Sequence, residues 1–323
     1  MSVLPRSTRR PGEPRSPGGA AAARRPGRLP ARLTRSAGRQ PVGLAFVSPY
    51  LLYLAVVFVY PLGFAVWMSF HDYFFTAPGV SVPRPFVGFD NYTKVLTDPD
   101  VRRSFVNIAV FLVVNVPLTV AASLVLATAL NRGLRFRGFL RTAYYVPYVT
   151  ASVAVVGVWL FLFNSDGLVN KGLGPLAPDP SWLVNSRLAM PTVAVFVAWK
   201  QMGFYIVLYL SALQNVPGEL YESAALDGAG RVRSFFSITV PAVRTATLLV
   251  LVLATVTGAN LFTEPYLLTS GGGPDGATTS PVLLMYQRGL EQGHPDEAAA
   301  IGVLLIVLVT AISLGYRRLL ERD

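Results

Sequence analysis

Six apolar stretches in this sequence are each long enough to cross a lipid bilayer as a helix. The hydrocarbon core of a bilayer is about 30 Å thick, so a spanning helix needs about 20 predominantly apolar residues. The stretches cover roughly residues 42–70, 105–130, 142–163, 192–213, 245–268 and 298–315. We therefore predict an all-α integral membrane protein of about six transmembrane helices.

The composition of the chain supports the same fold class. Charged residues make up 14% of the 323 residues and hydrophobic residues 52%, whereas soluble domains carry about 25% charged residues. The chain has no cysteine, which excludes disulfides, thiolate metal sites and cysteine nucleophiles. Its only histidines are His71 and His294. We therefore expect neither a catalytic site nor a metal site.

Basic residues are distributed unevenly between the segments that separate the stretches. If the N-terminus is cytoplasmic, 20 of the 28 Lys and Arg residues fall in inside segments and 7 fall in outside loops. Because cytoplasmic segments carry the excess of Lys and Arg, both termini are predicted to be cytoplasmic. The net charge of +11 does not indicate nucleic-acid binding, because the sequence has no nucleic-acid motif and no basic face with interleaved aromatic residues.

Residues 1–40 differ in composition from the rest of the chain. They are rich in Arg, Pro, Gly and Ala, and such a segment cannot bury enough apolar surface to offset the entropy of folding. We predict a disordered basic cytoplasmic tail over 1–40 and a transmembrane domain over 41–320. A cleaved signal peptide is disfavoured, because the stretch at 42–70 is longer than the roughly 7–15 apolar residues of such peptides.

The segment between the fourth and fifth stretches, residues 215–241, is too polar to span the membrane but has the pattern of a short helix. Good helix formers fill 219–226, and their acidic residues lie early, where the helix dipole favours them. Gly228 and Gly230 can end a helix in a left-handed conformation. The pattern alone leaves two interpretations open: an amphipathic helix on the membrane surface, or a helix that docks into another protein.

This segment resembles the signature of ABC importer permeases, which is Glu-Ala-Ala, three residues, Gly, nine residues, Ile, one residue and Leu-Pro. The positions in register are Glu222, Ala224, Gly228, Ile238 and Pro241. Two positions depart from the signature, since Ser223 replaces the first Ala and Val240 replaces Leu. Both replacements are small and leave the resemblance intact.

Further segments resemble the carbohydrate-type branch of these permeases. Gly-Phe-Asp-Asn-Tyr at 88–92 is similar to a run after their first helix, and Leu-Leu-Thr-Ser-Gly-Gly-Gly-Pro at 267–274 is similar to a run after their fifth. Tyr286 and the run Glu-Ala-Ala-Ala at 297–300 also fit. The resemblance covers nearly all of residues 42–320 and points to the maltose and glycerol-3-phosphate type of permease.

The resemblance implies a permease subunit of a binding-protein-dependent ABC importer for a sugar or related polyol, in a bacterial plasma membrane. It implies a heterodimer with a second permease subunit, a cytoplasmic ATPase dimer and an extracellular solute-binding protein. The 217–241 loop would couple to the ATPase through Glu222, Ser223, Ala224, Asp227, Gly228, Ile238 and Pro241. The sequence has no G-x-x-x-x-G-K-[ST] motif. We therefore expect that this chain is not an enzyme and binds no cofactor, whereas ATP and Mg²⁺ bind to the partner ATPase.

Polar residues inside apolar spans are costly and often mark a substrate path. For a sugar path we predict Gln201, Gly203, Tyr205, Asn260 and Phe262. Further polar residues within or near spans are Asn107, Asn115, Lys200 and Glu264. Interhelical hydrogen bonds are the alternative role for these side chains. The alternative function is a secondary, ion-coupled transporter, which requires acids inside the membrane.

Overall fold

The computed structural model describes residues 41–77, 79–80, 82–131 and 136–320. The tail predicted for 1–40 lies outside the described residues, as do Arg132, Arg135 and Arg322 of the inside charge count. The chain divides into two units, residues 1–59 and 60–323. In the first unit, helix α1 (Pro41–Leu54) leads into a π-helical turn at Ala55–Val59.

The described part of the second unit is helical, and its only β-feature there is an isolated bridge between His71 and Phe86. Its helices are α2 (Tyr60–Met68), α3 (Asp90–Thr97), α4 (Pro99–Asn131), α5 (Arg137–Val149), α6 (Ser152–Phe163), α7 (Leu168–Leu173), α8 (Ala189–Leu213), α9 (Gly218–Leu226), α10 (Arg231–Ser234), α11 (Val240–Ala242), α12 (Arg244–Ala259), α13 (Thr263–Leu268), α14 (Pro281–Tyr286) and α15 (Pro295–Leu320). The π-helical turns Phe235–Thr239 and Gln287–Glu291 follow α10 and α14.

Five helical stretches of the described residues are long and apolar enough to cross a membrane: Phe46–Met68, Pro99–Asn131, Ser152–Leu176, Ala189–Leu213 and Pro295–Leu319. A sixth meets the same criterion only as a bent pair, Arg231–Ala242 and Arg244–Ala259, whose two parts differ in direction by 73°. The prediction of an all-α protein with about six spans is confirmed.

Helices α4 and α8 form the centre of the second unit and pack along each other. Asn115 Nδ2 donates a hydrogen bond to Ala194 O at 2.9 Å, and further along both helices Ser123 Oγ donates to Met202 O at 3.3 Å. The two bonds advance together along both helices, so α4 and α8 are parallel. This is the relative direction expected of a second and a fourth span in a chain that crosses the membrane alternately.

Helix α12 packs against α4, α8 and α15 and runs antiparallel to α8. Tyr209 Oη donates to Thr247 Oγ1 at 3.2 Å near the beginning of α12, whereas Lys200, earlier on α8, meets Glu264 beyond the end of α12. Side chains of α4, α8 and α12 share one apolar core, whose members include Ile108, Phe111, Val116, Val193, Phe196, Ile206, Val250 and Ala254.

The third apolar stretch, predicted as one span over 142–163, is interrupted between α5 and α6. Pro147 removes a backbone donor from the last turn of α5. Thr150 leaves the helix in an extended conformation, and its backbone N–H and its hydroxyl both donate to Val146 O, at 3.1 and 2.7 Å. The carbonyl at the end of α5 is therefore satisfied locally, and a new helix begins at Ser152.

Candidate functional site

The fifth apolar stretch, predicted as one span over 245–268, is interrupted between α12 and α13. Asn260 Nδ2 donates to Val256 O at 2.8 Å and thereby caps the end of α12. Pro265 lies in the first turn of α13, where its missing backbone N–H has no partner to lose. Two interrupted helices thus neighbour the continuous helix α8, and α6 contacts α13.

Lys200 lies near the middle of α8 and connects both interruptions. Its Nζ is 3.2 Å from Glu264 Oε1 in the first turn of α13, and it also donates to the hydroxyl of Ser152, the first residue of α6. The side chains of Lys200 and Glu264 are only 11% and 12% exposed. The helix dipole of α13 also favours a carboxylate at this position. This ion pair therefore holds the beginnings of α6 and α13 against α8.

Asn260 and Phe262, both predicted for the substrate path, lie at the interruption of the fifth span. Asn260 is exposed. Phe262 stacks on Tyr266 with ring centroids 5.5 Å apart, and its ring centroid lies 5.3 Å from that of Tyr286. An exposed amide beside aromatic faces offers hydrogen bonding and ring stacking, which are the contacts a sugar requires.

The other three predicted path residues lie on α8 in different surroundings. Gln201 is partly exposed. Gly203 packs against the backbone of α5, where an added Cβ would lie 2.1 Å from the carbonyl oxygen of Tyr144. Tyr205 is 2% exposed and belongs to the apolar core. Gly203 and Tyr205 thus pack helices together in this conformation, and their role in a path stays a prediction.

The polar residues Asn107 and Asn115 hold elements of the fold together. For Asn115 the alternative role, an interhelical hydrogen bond, is confirmed, because its amide donates from α4 to α8 as described above. Asn107 Nδ2 donates to Gly276 O at 2.8 Å and to Thr279 O at 3.0 Å. It therefore ties α4 to the loop that follows α13.

A cavity of about 610 Å³ lies between the end of α6 and the loop after α13. Its polar lining consists of neutral side chains: Asn164, Ser165, Ser181, Thr269 and Ser270. The glycine-rich run borders this cavity through Gly273, and a Cβ at the adjacent Gly272 would lie 2.4 Å from Thr279 Oγ1. A neutral lining rich in hydroxyl groups suits a hydroxylated ligand better than an ion.

The predicted helix of the 215–241 segment is α9, and a Schellman motif ends it. The backbone N–H of Ala229 donates to Ala224 O at 2.8 Å, and the N–H of Gly228 donates to Ala225 O at 3.1 Å. Gly228 has a φ of +74°, so its predicted left-handed conformation is confirmed. The same expectation for Gly230 is wrong: its φ is −68°, and it precedes the start of α10 instead.

Helix α9 presents most of its surface outward, and none of its residues is buried. Glu222, Ser223 and Asp227 are exposed, and Leu226 is 90% exposed. On the side of α9 that faces the rest of the chain, Tyr221 Oη lies 3.0 Å from Thr239 Oγ1 in the π-helical turn that follows α10. The helix is therefore attached through one side and free to meet another surface through the other.

The segment after α9 leads directly into the fifth span. Ile238 is partly buried in the π-helical turn, and Pro241 is exposed in α11. Val243, which is 1% exposed, marks the 73° change of direction before α12. All seven residues predicted for coupling thus lie between the start of α9 and this bend, although their role in coupling stays a prediction.

Comparison with known proteins decides the class of this chain. Residues 119–323 match the family described as binding-protein-dependent transport system inner membrane component. The chain belongs to this family. The permease is thus a multi-pass membrane protein, and its predicted resemblance to carbohydrate-type permeases is confirmed.

Relatives of this permease match over most of their length. The diacetylchitobiose uptake system permease protein NgcF of Streptomyces coelicolor is 32% identical over 303 residues, which cover 88% of this chain and 85% of the relative. The sn-glycerol-3-phosphate transport system permease protein UgpA of Yersinia pestis is 32% identical over 278 residues, which cover 85% and 92%.

A solved structure shows the same fold. It is that of a bacterial alginate ABC transporter in complex with an alginate pentasaccharide-bound periplasmic protein, and a chain of it matches 90% of this permease and 98% of its own length. The sequence identity is 24% and the TM-score is 0.74. The helical arrangement of this permease is therefore that of a known transporter chain.

Sequence reasoning missed one arrangement in this permease. It identified Lys200 and Glu264 as separate polar residues of neighbouring spans, did not pair them, and did not predict Ser152 as a partner. The opposite charges of two neighbouring spans are the signal that points to the pair. The interruption of the fifth span, which brings Glu264 to the middle of α8, has Pro265 as its local signal.

Proposed function

We propose that this permease forms half of the membrane path of an ABC importer for a sugar or related polyol. A second permease subunit completes the path as a heterodimer, an ATPase dimer binds on the cytoplasmic side, and an extracellular solute-binding protein delivers the substrate. The relatives support the substrate class, since their names specify diacetylchitobiose, arabinooligosaccharides and sn-glycerol-3-phosphate.

The observation that carries the proposal is the geometry of α9. A short helix transmits force well only if its ends are fixed, and α9 is closed by the Schellman motif at Gly228 and attached through Tyr221 to Thr239. Its outward face carries Glu222, Ser223 and Asp227. We infer that this face enters a cleft of the ATPase and that the segment up to Val243 passes the movement to α12.

The substrate path proposed for this subunit runs beside the interrupted fifth span. Asn260 and Phe262 lie at the interruption, and Gln201 lies next to Lys200 on α8. Interrupted helices expose backbone groups near the middle of a membrane, where transporters place their substrate sites. The neutral, hydroxyl-rich cavity near α6 is proposed as the outer approach to this path.

The test is uptake of labelled oligosaccharides and glycerol 3-phosphate by proteoliposomes that contain the complex purified through a tag on this permease. Uptake is expected to require its binding protein and enclosed ATP and to stop with vanadate. Gly228→Asp is expected to abolish ATP-driven uptake while the protein still inserts, because it disturbs the left-handed cap of α9.

Gly230→Asp is the matched control, since it adds the same charge two residues away at an exposed position with a φ of −68°. It is expected to retain most of the uptake. Equal uptake by the Gly228→Asp variant and the native permease would contradict the coupling role. Uptake driven by a proton or sodium gradient without ATP would instead support the ion-coupled alternative.

A further inference from the structure

Two cavities meet at the beginning of α10. One, called here the polar cavity and of about 350 Å³, is lined in part by polar side chains, which include Asn131, Tyr221, Ser234 and Thr239. The other, of about 310 Å³, is lined by the apolar side chains Val125, Ala129, Val232, Phe235 and Phe236. Thr128 and Arg231 line both cavities, so the two form one continuous surface whose polar groups are concentrated on one side.

The charge on this surface is not neutralised within the described part of the chain. Arg231 is exposed, and no carboxylate of the described residues lies within ion-pair distance of it. A guanidinium group presents a planar fork of N–H donors that matches a phosphate group and is only weakly hydrated. Arg231, which lines both cavities, is therefore suited to bind an anionic, phosphate-bearing group.

The apolar part of the surface faces outward. Val125, Val232 and Phe236 are 54%, 72% and 65% exposed. Val125 lies in the last part of the spanning helix α4, and Val232 and Phe236 line the same cavity from α10 and the π-helical turn after it. The last residue of α4, Asn131, lines the polar cavity. The lining of this surface therefore becomes more apolar at the end of a span, which is where lipid headgroups meet their acyl chains.

We propose that this permease binds an anionic phospholipid there, with the phosphate on Arg231 and an acyl chain in the groove beside Val125 and Phe236. The predicted orientation places this end of α4 on the cytoplasmic side, where basic pockets between spanning helices attract anionic headgroups. Because Tyr221 of α9 lines the polar cavity, the bound headgroup lies directly against the segment proposed to couple to the ATPase.

The test is native mass spectrometry of the full-length permease in detergent, titrated with phosphatidylglycerol and, in parallel, with phosphatidylcholine. Phosphatidylglycerol is expected to bind more tightly. Arg231→Gln is expected to weaken its binding about fivefold, which corresponds to roughly 1 kcal/mol per basic residue at an anionic surface. Arg233→Gln removes the same charge from the same helix at an exposed position that lines neither cavity, and it is expected to leave the affinity unchanged.

A second variant tests the acyl groove without touching Arg231. Ala129 is exposed and lines only the apolar cavity, so Ala129→Trp fills the groove and is expected to weaken phosphatidylglycerol binding. Trp at the exposed Ala121 of the same helix, which lines neither cavity, is the control.

Four results would overturn the proposal. The first is an equal affinity of phosphatidylglycerol for the native permease and the Arg231→Gln variant, and the second is an equal loss in the Arg233→Gln variant. The third is binding that Ala129→Trp leaves intact but inorganic phosphate displaces, because the site would then recognise a free anion. The fourth is displacement of the lipid when the partner subunits assemble, because the groove would then be a subunit interface. Loss of transport in the uptake assay has no bearing on these binding results.

Discussion

Replacing Lys200 with methionine removes the partner of a buried carboxylate and is expected to destabilise the permease by about 3–5 kcal/mol. The magnitude follows from the geometry, because the two charged groups are 3.2 Å apart and their side chains are only 11% and 12% exposed. Glu264→Leu leaves the ammonium group with the Ser152 hydroxyl alone and is expected to cost a similar amount. The double variant removes both charges and should cost about 1 kcal/mol, chiefly for the lost partner of Ser152.

The measurement is equilibrium unfolding of the purified permease in mixed micelles of dodecyl maltoside and sodium dodecyl sulfate, followed by circular dichroism. The double variant is expected to be at least about 5 kcal/mol more stable than the sum of the single changes predicts. Gln201→Met, at the adjacent residue, is the control and should change the free energy of unfolding by less than about 0.5 kcal/mol. Additivity of the two single changes within about 0.5 kcal/mol would refute the reasoning, because the charges then do not interact in the folded protein.

Two further predictions concern helix packing and coupling. Gly203→Ala is expected to destabilise the permease by about 1–3 kcal/mol, because the new Cβ would lie 2.1 Å from Tyr144 O and α5 would have to move. Gly157→Ala in α6, where nothing lies within 4 Å, is the control, and equal thermal unfolding of the two variants would contradict the prediction. Tyr221→Phe removes the bond to Thr239, worth about 1 kcal/mol, and should lower substrate-stimulated ATP hydrolysis by the assembled complex. Unchanged hydrolysis would show that this bond does not support coupling.

The spans were predictable because bilayer thickness sets a length that composition reveals, whereas the interruptions inside them were not. Pro117 lies inside α4, a helix of 33 residues that is not interrupted there. Pro147 and Pro265, in contrast, lie close to interruptions. A proline in an apolar stretch can therefore either lie within a continuous helix or accompany an interruption. What differs is whether groups such as the Thr150 hydroxyl satisfy the carbonyls that a break frees, and that depends on local geometry which an apolar run does not encode.

In the candidate site, too, features set by neighbouring residues were predictable from the sequence, whereas features set by long-range packing were not. The left-handed Gly228 follows from its position after a run of helix formers, so it was predictable from neighbouring residues. The pairing of Lys200 with Glu264 joins residues 64 positions apart and depends on the antiparallel packing of α8 and α12. Gly203 is predicted for the substrate path, and the structure also places the backbone of α5 against it, a close approach that no local pattern indicates.

The two parts of the site are connected through one helix, and this connection limits how movement can pass through the subunit. If α9 is displaced by an ATPase, the bend at buried Val243 carries the displacement into α12, which is helical up to Ala259. Beyond the interruption, α13 is held to α8 by Glu264 and Lys200. Because α12 also packs against α4 and α8, with Tyr209 bonded to Thr247 near its beginning, a displacement of α12 would act on this pair as well as on α13. Asn260 and Phe262 connect α12 to α13, so the proposed substrate path lies where a displacement of α12 would meet the segment that the ion pair holds.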